Sequence, residues 1–539
     1  MKKMQKIGAT ALLALTGICA SCGGGGGDPD TAYLTIGTYD GGIGTTWLEK
    51  AAERFIEQYG SQTFEEGKTK IKISISANKG YDGSTLTTSG GDKDIYFSEG
   101  FDYYSIKNCG KYLDLSDIMT TNNQYGDNKK IIDKIDADYK SYLNIEGSYY
   151  GVPFYDAFYG MVYDLDAWKE NEFYIGKNGD GDWCDGVDAS LLSKGPDNVE
   201  GTYDDGLPAT FEEYKNLFEH IQKDAGYTPF QYPTNNGIDY MAAFPLNLWA
   251  NLEGKENIMI GYNFSGTATD LVEVDNDGNF TPLAPTDINT QNGYLVHKQK
   301  GLYQTIDFVR KVMAGSPLYY RSATTHTSAQ KTFVNSADSS KQEKIAMLCD
   351  GSWWENEAKP AFDALPSRVK RHNYAIMPMP FAEPAQGNEV RKQTILSMSG
   401  SYGVINTNVR RNGHEKLAKA FMQFLTSDAE LQNFTLQTNM TRPLNYSLTE
   451  EQMDVVTTYT KSILNVKNNS NIDIAYPYSS FKAVVNDYGN LQTFNWAFHT
   501  NSSRNPFASF VKSASYTSKQ YFDDVNSYFK TYWETKIIN

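Results

Sequence analysis

An acid-rich stretch at residues 176–206 has the residue types that most directly predict metal chemistry. It holds eight acids, seven glycines and only two lysines. Calcium binds about six to eight oxygen ligands, and alternating side chains in a loop bring such oxygens together. The candidate ligands are Asn178, Asp180, Asp182, Asp185, Asp197, Asp204 and Asp205. Position twelve from Asn178 is Ala189, so the stretch is not an EF-hand. It predicts a structural calcium site, with a solvated loop held by Asx turns as the alternative.

Motifs for catalysis are incomplete in this sequence. Gly67-Lys68-Thr69 matches the end of a phosphate-binding loop, but Gln62 stands where the first glycine belongs. His414 and Glu415 lack the second histidine of a zinc-protease helix. The sequence therefore predicts no catalytic residue, no required cofactor and no enzyme activity. Its many carboxylates leave a surface glycosidase as an alternative.

Length and composition restrict the fold and the partners. The chain has 539 residues, more than the roughly 250–300 at which one hydrophobic core stops growing. We therefore expect at least two lobes. There are 49 basic and 65 acidic residues, for a net charge of −16, which argues against a nucleic-acid partner. The 38 tyrosines, 27 phenylalanines and 8 tryptophans indicate a folded chain with many aromatic platforms.

The amino terminus has the features of a targeting segment. Three early lysines precede a short apolar run at residues 7–18, and Cys22 is followed by five glycines. This pattern resembles the lipobox of bacterial lipoproteins. The resemblance implies a signal peptide at residues 1–21, a lipid on Cys22 and a glycine-rich tether over 22–30. The mature protein would then sit on the extracellular or periplasmic face of the cell membrane, attached by its lipid alone.

The first 100 residues predict a parallel sheet. A strand at 33–38 precedes a helical apolar pattern at 47–59, and isoleucines alternate with polar residues at 71–75. A strand–helix–strand unit of this length implies a right-handed crossover between parallel strands. Ligands of such sheets bind at the carboxyl ends of the strands. Asp40 and Glu99 each follow an apolar strand, so we expect both near a ligand.

Local signals mark other elements. Thr46 with Glu49, and Thr210 with Glu213, have the spacing of a capping box at a helix start. The turn residues 275–279 lie between two short apolar runs and predict a hairpin.

Several later segments together resemble one protein family. In chain order they are YGVPFY at 150–155, FPLNLWANLEG at 244–254, IAMLCDGSWWE at 345–355, AKAFMQFLTS at 418–427 and RPL at 442–444. With the lipobox and the opening sheet, this order is similar to the family 1 extracellular solute-binding proteins of carbohydrate ABC importers, the maltose-binding-like group. The resemblance runs from Cys22 nearly to the carboxyl terminus.

The resemblance implies an α/β fold of the periplasmic-binding-protein type, a type II clamp with two discontinuous lobes. Lobe one would comprise 31–153 and 393–446, and lobe two 154–392 and 447–539. The chain crossings near Pro153, Arg391 and Pro443 would be hinges. The implied function is a monomeric, lipid-anchored receptor that captures a carbohydrate and delivers it to ABC transporter permease subunits. A peptide or another small solute in the same clamp is the alternative.

Sugar recognition by this clamp would combine aromatic platforms with polar groups. Aromatic rings stack on the apolar faces of a pyranose, while carboxylates and amides bind its hydroxyls. The residues expected to contact ligand are Trp353, Trp354, Trp249, Tyr155, Tyr159, Tyr402, Asp40 and Glu99. Adjacent residues on an extended segment point in opposite directions. Only one residue of the Trp353–Trp354 pair should therefore face the cleft, and we favour Trp353.

Overall fold

The computed structural model describes residues 28–179, 181–233, 237–397, 400–476 and 496–538. The predicted signal peptide, Cys22 and Asp180 lie outside the described residues. The strands are β1 (Thr31–Tyr39), β2 (Lys70–Asn78), β3 (Ile95–Ser98), β4 (Val152–Pro153), β5 (Tyr159–Asp164), β6 (Tyr174–Ile175), β7 (Trp183–Cys184), β8 (Thr228–Pro233), β9 (Gly266–Ala268), β10 (Val272–Val274), β11 (Phe280–Pro282), β12 (Thr286–Ile288), β13 (Tyr320–Ala323), β14 (Ile345–Gly351), β15 (Tyr374–Met377), β16 (Gln393–Leu396), β17 (Tyr402–Ile405) and β18 (Ile472–Ala475).

The helices surround these strands. They are α1 (Thr46–Tyr59), α2 (Gly83–Ser89), α3 (Tyr103–Asn108), α4 (Ser116–Thr120), α5 (Ala137–Leu143), α6 (Leu165–Glu170), α7 (Phe211–Lys223), α8 (Gly237–Asn263), α9 (Lys300–Ala314), α10 (His326–Asn335), α11 (Trp354–Glu357), α12 (Lys359–Asp363), α13 (Asn408–Asn412), α14 (Glu415–Phe424), α15 (Asp428–Thr438), α16 (Glu450–Val455), α17 (Thr458–Asn468), α18 (Pro506–Phe510) and α19 (Ser518–Tyr532). The long helix α8 is interrupted at Gly254, whose φ is +74°. In the described part of the chain, no helix combines the length and apolarity needed to cross a membrane.

The first lobe is built on a five-stranded sheet of order β2-β1-β3-β17-β4. Strand β1 pairs in parallel with β2 and β3, which confirms the predicted crossover unit. Strand β17 returns antiparallel to β3 and β4, so a late part of the chain completes the early sheet. Helix α1 buries Trp47, Leu48 and Phe55, because these apolar residues repeat at helical spacing.

The second lobe is built on another five-stranded sheet, of order β13-β8-β14-β5-β15. Strand β8 pairs in parallel with β13 and β14, and β5 runs antiparallel to β14 and β15. The two sheets make a two-lobed α/β fold, as the sequence predicts.

The hydrophobic cores show how the chain is divided between the lobes. The first core draws on residues 32–157 and 402–446 and also on Tyr476, and the cores of the second lobe draw on other residues of 158–396 and 459–533. The sequence-based division places 393–396 in lobe one. In the structure this segment is β16, which pairs with β18, and Ile395 and Leu396 are buried in the second lobe. The boundary at 393 is therefore corrected, because these apolar side chains pack with lobe two.

Arg442 joins two chain segments where the lobes meet. Its side chain is 1% exposed and donates to the carbonyls of Pro153, Phe154 and Leu425 at 2.7–2.9 Å. Beyond these segments, Asp156 accepts from Thr441 Oγ1 at 3.0 Å. The segments near the predicted crossings at Pro153 and Pro443 are thus held together by the buried guanidinium of Arg442 and by the hydrogen bonds between Thr441 and Asp156.

Of the two capping boxes predicted at helix starts, one is present in the structure and the other is not. The capping box of Thr210 and Glu213 is confirmed. The box predicted at Thr46 is wrong: the residue before α1 is Thr45, whose hydroxyl donates to Glu49 Oε1 at 2.8 Å without capping the backbone. The predicted hairpin is confirmed by the antiparallel pairing of β10 and β11.

Candidate functional site

An aromatic wall lines the second lobe where it faces the first. Trp353 follows β14, Tyr159 begins β5, and Tyr240 lies on α8. The ring centroids of Trp353 and Tyr159 are 4.3 Å apart at 70°, and those of Trp353 and Tyr240 are 6.1 Å apart at 82°. Trp353 and Tyr159 are half-buried and also pack against the core of the first lobe. The three rings therefore form an edge-to-face surface between the lobes.

Gly351 allows the Trp353 ring to lie over the strand end. A Cβ atom at this position would stand 2.2 Å from Trp353 Cη2, which no side chain tolerates. Gly351 pairs with Tyr159 across β14 and β5, so the register of the sheet brings the two rings together.

Carboxyl groups extend the wall. Asp350 and Glu357 both accept from Gln330 Nε2, at 3.1 Å and 2.6 Å. His326 Nε2 lies 3.6 Å from Glu357 Oε1, and its ring is nearly parallel to that of Tyr240. Burial, reinforced by the charge of Glu357, raises the pKa of Asp350 well above its usual range. Asp350 is 1% exposed, so Glu357, which is half-buried, is the carboxyl of this pair that reaches the surface of the cleft.

The first lobe contributes the facing surface. Asp40 is exposed after β1, and Glu99 follows β3, which places both predicted residues at the carboxyl ends of parallel strands. A Cβ atom on Gly41 would lie 2.3 Å from Glu99 Oε1, so the Glu99 carboxyl packs directly against the loop after β1. Asn356 Nδ2 of the second lobe donates to Gly42 O at 2.7 Å. This contact ties the loop after β1 to α11 across the cleft.

Glu99 is the most perturbed carboxyl on this face. Burial raises the pKa of Glu99 to about 7, and the charge of Glu357 across the cleft acts in the same direction. A hydrogen bond with Tyr155 and the charge of Lys79 act in the opposite direction. Tyr155 itself is buried, so its effect on the cleft is its hydrogen bond with Glu99. The region presents several carboxyl groups and few cations, which disfavours anionic ligands.

Four of the predicted ligand contacts are core residues: Tyr155, Trp354, Trp249 and Tyr402. Trp354 is 0% exposed and packs against Phe333, Phe362, Tyr374 and Tyr459. Its interpretation as a stacking platform is therefore wrong.

Trp249 and Tyr402 need the same correction. Trp249 is 3% exposed in the core of the second lobe, because every residue of α8 from 241 to 251 is buried. Tyr402 is 2% exposed in strand β17, and its hydroxyl accepts from the Tyr139 hydroxyl at 3.2 Å. Both side chains are enclosed by protein and have no surface for a ligand.

Sequence reasoning missed one ring of the aromatic wall, Tyr240, and three polar residues beside the wall: His326, Gln330 and Glu357. They come from α8, α10 and α11, which are far apart in the chain. The sequence contained one signal for Glu357. It lies four residues after Trp353, one helical turn away, so a helix in this segment puts both side chains on the same face.

The predicted calcium ligands fall into two groups. Asn178 and Asp185 are exposed, and Asp182 Oδ2 accepts from the amide and side chain of Asn178 at 3.2 Å and 3.0 Å. These two hydrogen bonds hold Asn178 against Asp182 in a surface loop. In the second group Asp197 and Asp204 are completely buried and Asp205 is half-buried.

Comparison with known proteins addresses the family and the fold. The family model described as bacterial extracellular solute-binding protein matches residues 42–432. A search of curated protein sequences finds no match.

Solved structures of similar fold cover almost the whole chain. RafE from Streptococcus pneumoniae aligns at 13% identity and a TM-score of 0.54, over 94% of this chain and 99% of its own. BlMnBP1 from Bifidobacterium animalis subsp. lactis, a binding protein of an ABC transporter solved with mannobiose, aligns at 14% and 0.54, over 94% and 95%. The cyclic α-maltosyl-1,6-maltose binding protein from Arthrobacter globiformis aligns at 14% and 0.52, over 93% and 99%.

Proposed function

The chain belongs to the bacterial extracellular solute-binding protein family, and from that premise we propose that it captures a carbohydrate for import. The ligand is an oligosaccharide, and the recipient is the permease of an ABC transporter. The chain catalyses no reaction on the ligand and acts as a monomer.

The observation that carries this proposal is the aromatic wall of Trp353, Tyr159 and Tyr240. The wall stands beside Asp350 and Glu357 and faces Glu99 of the other lobe. Aromatic rings bind the apolar C–H faces of a sugar, and carboxyl groups bind its rim of hydroxyls. The similar solved structures are described as saccharide-binding proteins, one of them with mannobiose, which supports the same ligand class.

The electrostatics of the cleft favour a neutral saccharide. Its described polar groups include the carboxyls of Glu99 and Glu357, while Lys79 and His326 are the neighbouring bases. An anionic ligand would meet like charge. A neutral sugar meets no such repulsion, and its hydroxyls can donate to the carboxyls of Glu99 and Glu357.

The two lobes give the ligand a means of closing the clamp. A ligand that touches both Trp353 and Glu99 gains contacts only when the lobes are together, so it shifts the population toward the closed state. The closed state is the form we propose the permease receives.

Lipid attachment is proposed from the lipobox-like sequence around Cys22. We expect cells grown with a palmitate analogue to label the wild-type protein and not the Cys22→Ser variant. The variant should be recovered in the soluble extracellular or periplasmic fraction, because one thioether-linked lipid is the whole anchor. Equal labelling of both proteins, or labelling of neither, would contradict the proposed anchor.

Carbohydrate binding is tested by a thermal-shift screen of neutral oligosaccharides, monosaccharides, uronic acids and short peptides. A ligand that binds only the folded state stabilises it by about 2.7 kcal/mol at a concentration of about 100 Kd. We expect at least one neutral oligosaccharide to raise the melting temperature by roughly 5 °C, with no shift from peptides or uronic acids. Shifts from peptides alone would reassign the ligand, and release of shorter sugars during the assay would point to a glycosidase.

A further inference from the structure

We infer that Gln330 is a positioning residue of the cleft, which holds Glu357 so that one carboxylate oxygen, Oε1, is turned toward the ligand as a hydrogen-bond acceptor. The inference rests on the proposed carbohydrate function and adds to it a residue that does not itself touch the ligand. It assigns Glu357 to a ligand group that donates a proton, a saccharide hydroxyl, and not to a ligand carboxylate.

Gln330 is fixed by the helix on which it lies. Helix α10 begins with a complete capping box between Thr325 and Ser328, which satisfies backbone amides of the first turn. Gln330 is 1% exposed and lies among the buried residues of this helix with Phe333 and Val334. Those two apolar side chains belong to a core of the second lobe. A buried amide on a capped and packed helix has little freedom to move, so it can fix the groups that it binds.

The Gln330 amide uses both of its protons inside the second lobe. Gln330 Nε2 donates to Asp350 Oδ2 at 3.1 Å and to Glu357 Oε2 at 2.6 Å. Asp350 is 1% exposed, and its other oxygen accepts from Gly351 N at 2.9 Å. A side-chain NH2 group has two protons, so this amide has none left for a ligand. The Asp350 carboxyl at the end of β14 therefore anchors Gln330, and Gln330 in turn anchors Glu357.

The contact with Gln330 leaves the second oxygen of Glu357 available. Within the residues that the structure describes, Glu357 Oε1 accepts no hydrogen bond. The neighbouring His326 Nε2 stands 3.6 Å away, beyond the usual length of a hydrogen bond. A Cβ atom on Gly42 of the first lobe would lie 3.5 Å from this oxygen, so Oε1 faces the other lobe. The Glu357 side chain is 18% exposed, which lets a ligand reach it.

Glu357 lies beside the largest ring of the aromatic wall. Its backbone amide donates to Trp353 O at 3.0 Å, so the two residues are one turn apart and share a face of that turn. A sugar that stacks on an aromatic ring keeps its hydroxyls at the rim of the contact. The free oxygen of Glu357 is therefore placed for a hydroxyl of a sugar that stacks on Trp353.

The fixed orientation of Glu357 determines which ligand groups suit the cleft. An ionised carboxylate has acceptors and no donor. A ligand hydroxyl satisfies it, whereas a ligand carboxylate meets like charge. Fixing Glu357 before the ligand arrives also reduces the side-chain freedom that is lost on binding. Gln330 therefore contributes to affinity without a contact of its own to the ligand.

The first test is the isosteric variant Glu357→Gln, titrated calorimetrically with the best neutral oligosaccharide from the screen. Because Gln330 Nε2 is a donor, the new amide must turn its oxygen to Gln330 and its NH2 group to the cleft. The variant then offers the ligand a donor in place of an acceptor, and we expect affinity to fall at least about tenfold. Unchanged affinity would overturn the inference, because it would show that this side chain turns freely or that no ligand hydroxyl binds it.

The second test is a double-mutant cycle with Gln330→Met and Glu357→Ala. Methionine has nearly the length of glutamine but cannot donate to Glu357. We expect each single variant to weaken oligosaccharide binding about tenfold, and the double variant to bind no more weakly than Glu357→Ala alone. Losses that simply multiply in the double variant would show that Gln330 does not act through Glu357. A purely structural role would lower the melting temperature of Gln330→Met and leave the affinity of the folded variant unchanged.

Gln432→Met is the matched control for the glutamine substitution. Gln432 lies on α15 of the first lobe, and its Nε2 donates to Ser447 O at 2.8 Å. Its replacement should leave oligosaccharide affinity within about twofold of the wild type. An equal loss of affinity in this control and in Gln330→Met would contradict a specific role for Gln330.

The outcomes separate this inference from the proposed function. No saccharide binding to the wild type would overturn both. Saturable saccharide binding that is unchanged in Glu357→Gln and in folded Gln330→Met would overturn the inference alone and leave the carbohydrate function standing. If Gln330→Met does not fold, Glu357→Gln decides the question by itself, because it changes one partly exposed side chain without changing its size.

Discussion

Replacing Trp353 with alanine is expected to lower oligosaccharide affinity about tenfold to a hundredfold, roughly 1.4–2.8 kcal/mol. Trp353 is the largest ring of the aromatic wall, and its edges contact Tyr159 and Tyr240. The substitution removes the stacking surface, and it also removes the ring contacts that fix the orientation of Tyr159 and Tyr240. Because Trp353 is half-buried at the cleft and only borders the core of the first lobe, the fold should persist. Calorimetric titration of the folded variant then measures the loss of affinity directly.

Trp183→Ala is the matched control for this substitution. Trp183 is also half-buried in the second lobe, but it stacks on His220 at 4.3 Å, away from the aromatic wall. The control should leave affinity within about twofold of the wild type. Full oligosaccharide affinity in the Trp353 variant, or an equal loss of affinity in both variants, would contradict the assignment of Trp353 as a stacking platform for the sugar.

Replacing Arg442 with alanine is expected to destabilise the protein by about 3–5 kcal/mol. The guanidinium is completely buried and satisfies the carbonyls of Pro153, Phe154 and Leu425. Its removal leaves three buried acceptors without donors, each of which costs about 1–3 kcal/mol. Arg442→Lys should recover only part of the loss, because one ammonium cannot reproduce the planar fork of donors.

Denaturant unfolding measures this effect, with Arg411→Ala as the control. Arg411 is exposed and makes one long hydrogen bond, at 3.4 Å, to Asn408. Its removal should change the free energy of unfolding by less than about 0.5 kcal/mol. An Arg442→Ala variant that unfolds at the wild-type midpoint would show that the crossing segments do not depend on this side chain.

Much of the fold could be predicted because its local patterns are strong. The alternation at 71–75 and the helical apolar repeat at 47–59 predicted β2 and α1 correctly, and the capping box at Thr210 was formed as expected. The helix start at Thr46 was missed by one residue, since Thr45 offers the same hydroxyl one position earlier. The segment at 393–396 was assigned to the wrong lobe because an extended segment that crosses between lobes has no residue pattern that shows which lobe it packs against.

The candidate site was predicted less completely, for a physical reason. Asp40 and Glu99 could be placed because carboxyl ends of parallel strands are binding positions in general. An aromatic residue, in contrast, fits a core and a sugar platform equally well, so Trp249, Trp354 and Tyr402 could not be told from Trp353 by type. Tyr240 and Glu357 reach the site only through the order of the second sheet, β13-β8-β14-β5, which no local pattern encodes.

The central claim is that the cleft between the two lobes binds a neutral oligosaccharide and leaves it intact. Calorimetric titration of the purified protein with the best saccharide from the screen, followed by chromatography of the recovered ligand, tests it most directly. We predict saturable heat at one ligand per chain and complete recovery of the unhydrolysed saccharide. No saturable heat with any carbohydrate, while a peptide saturates the same protein, would contradict the account.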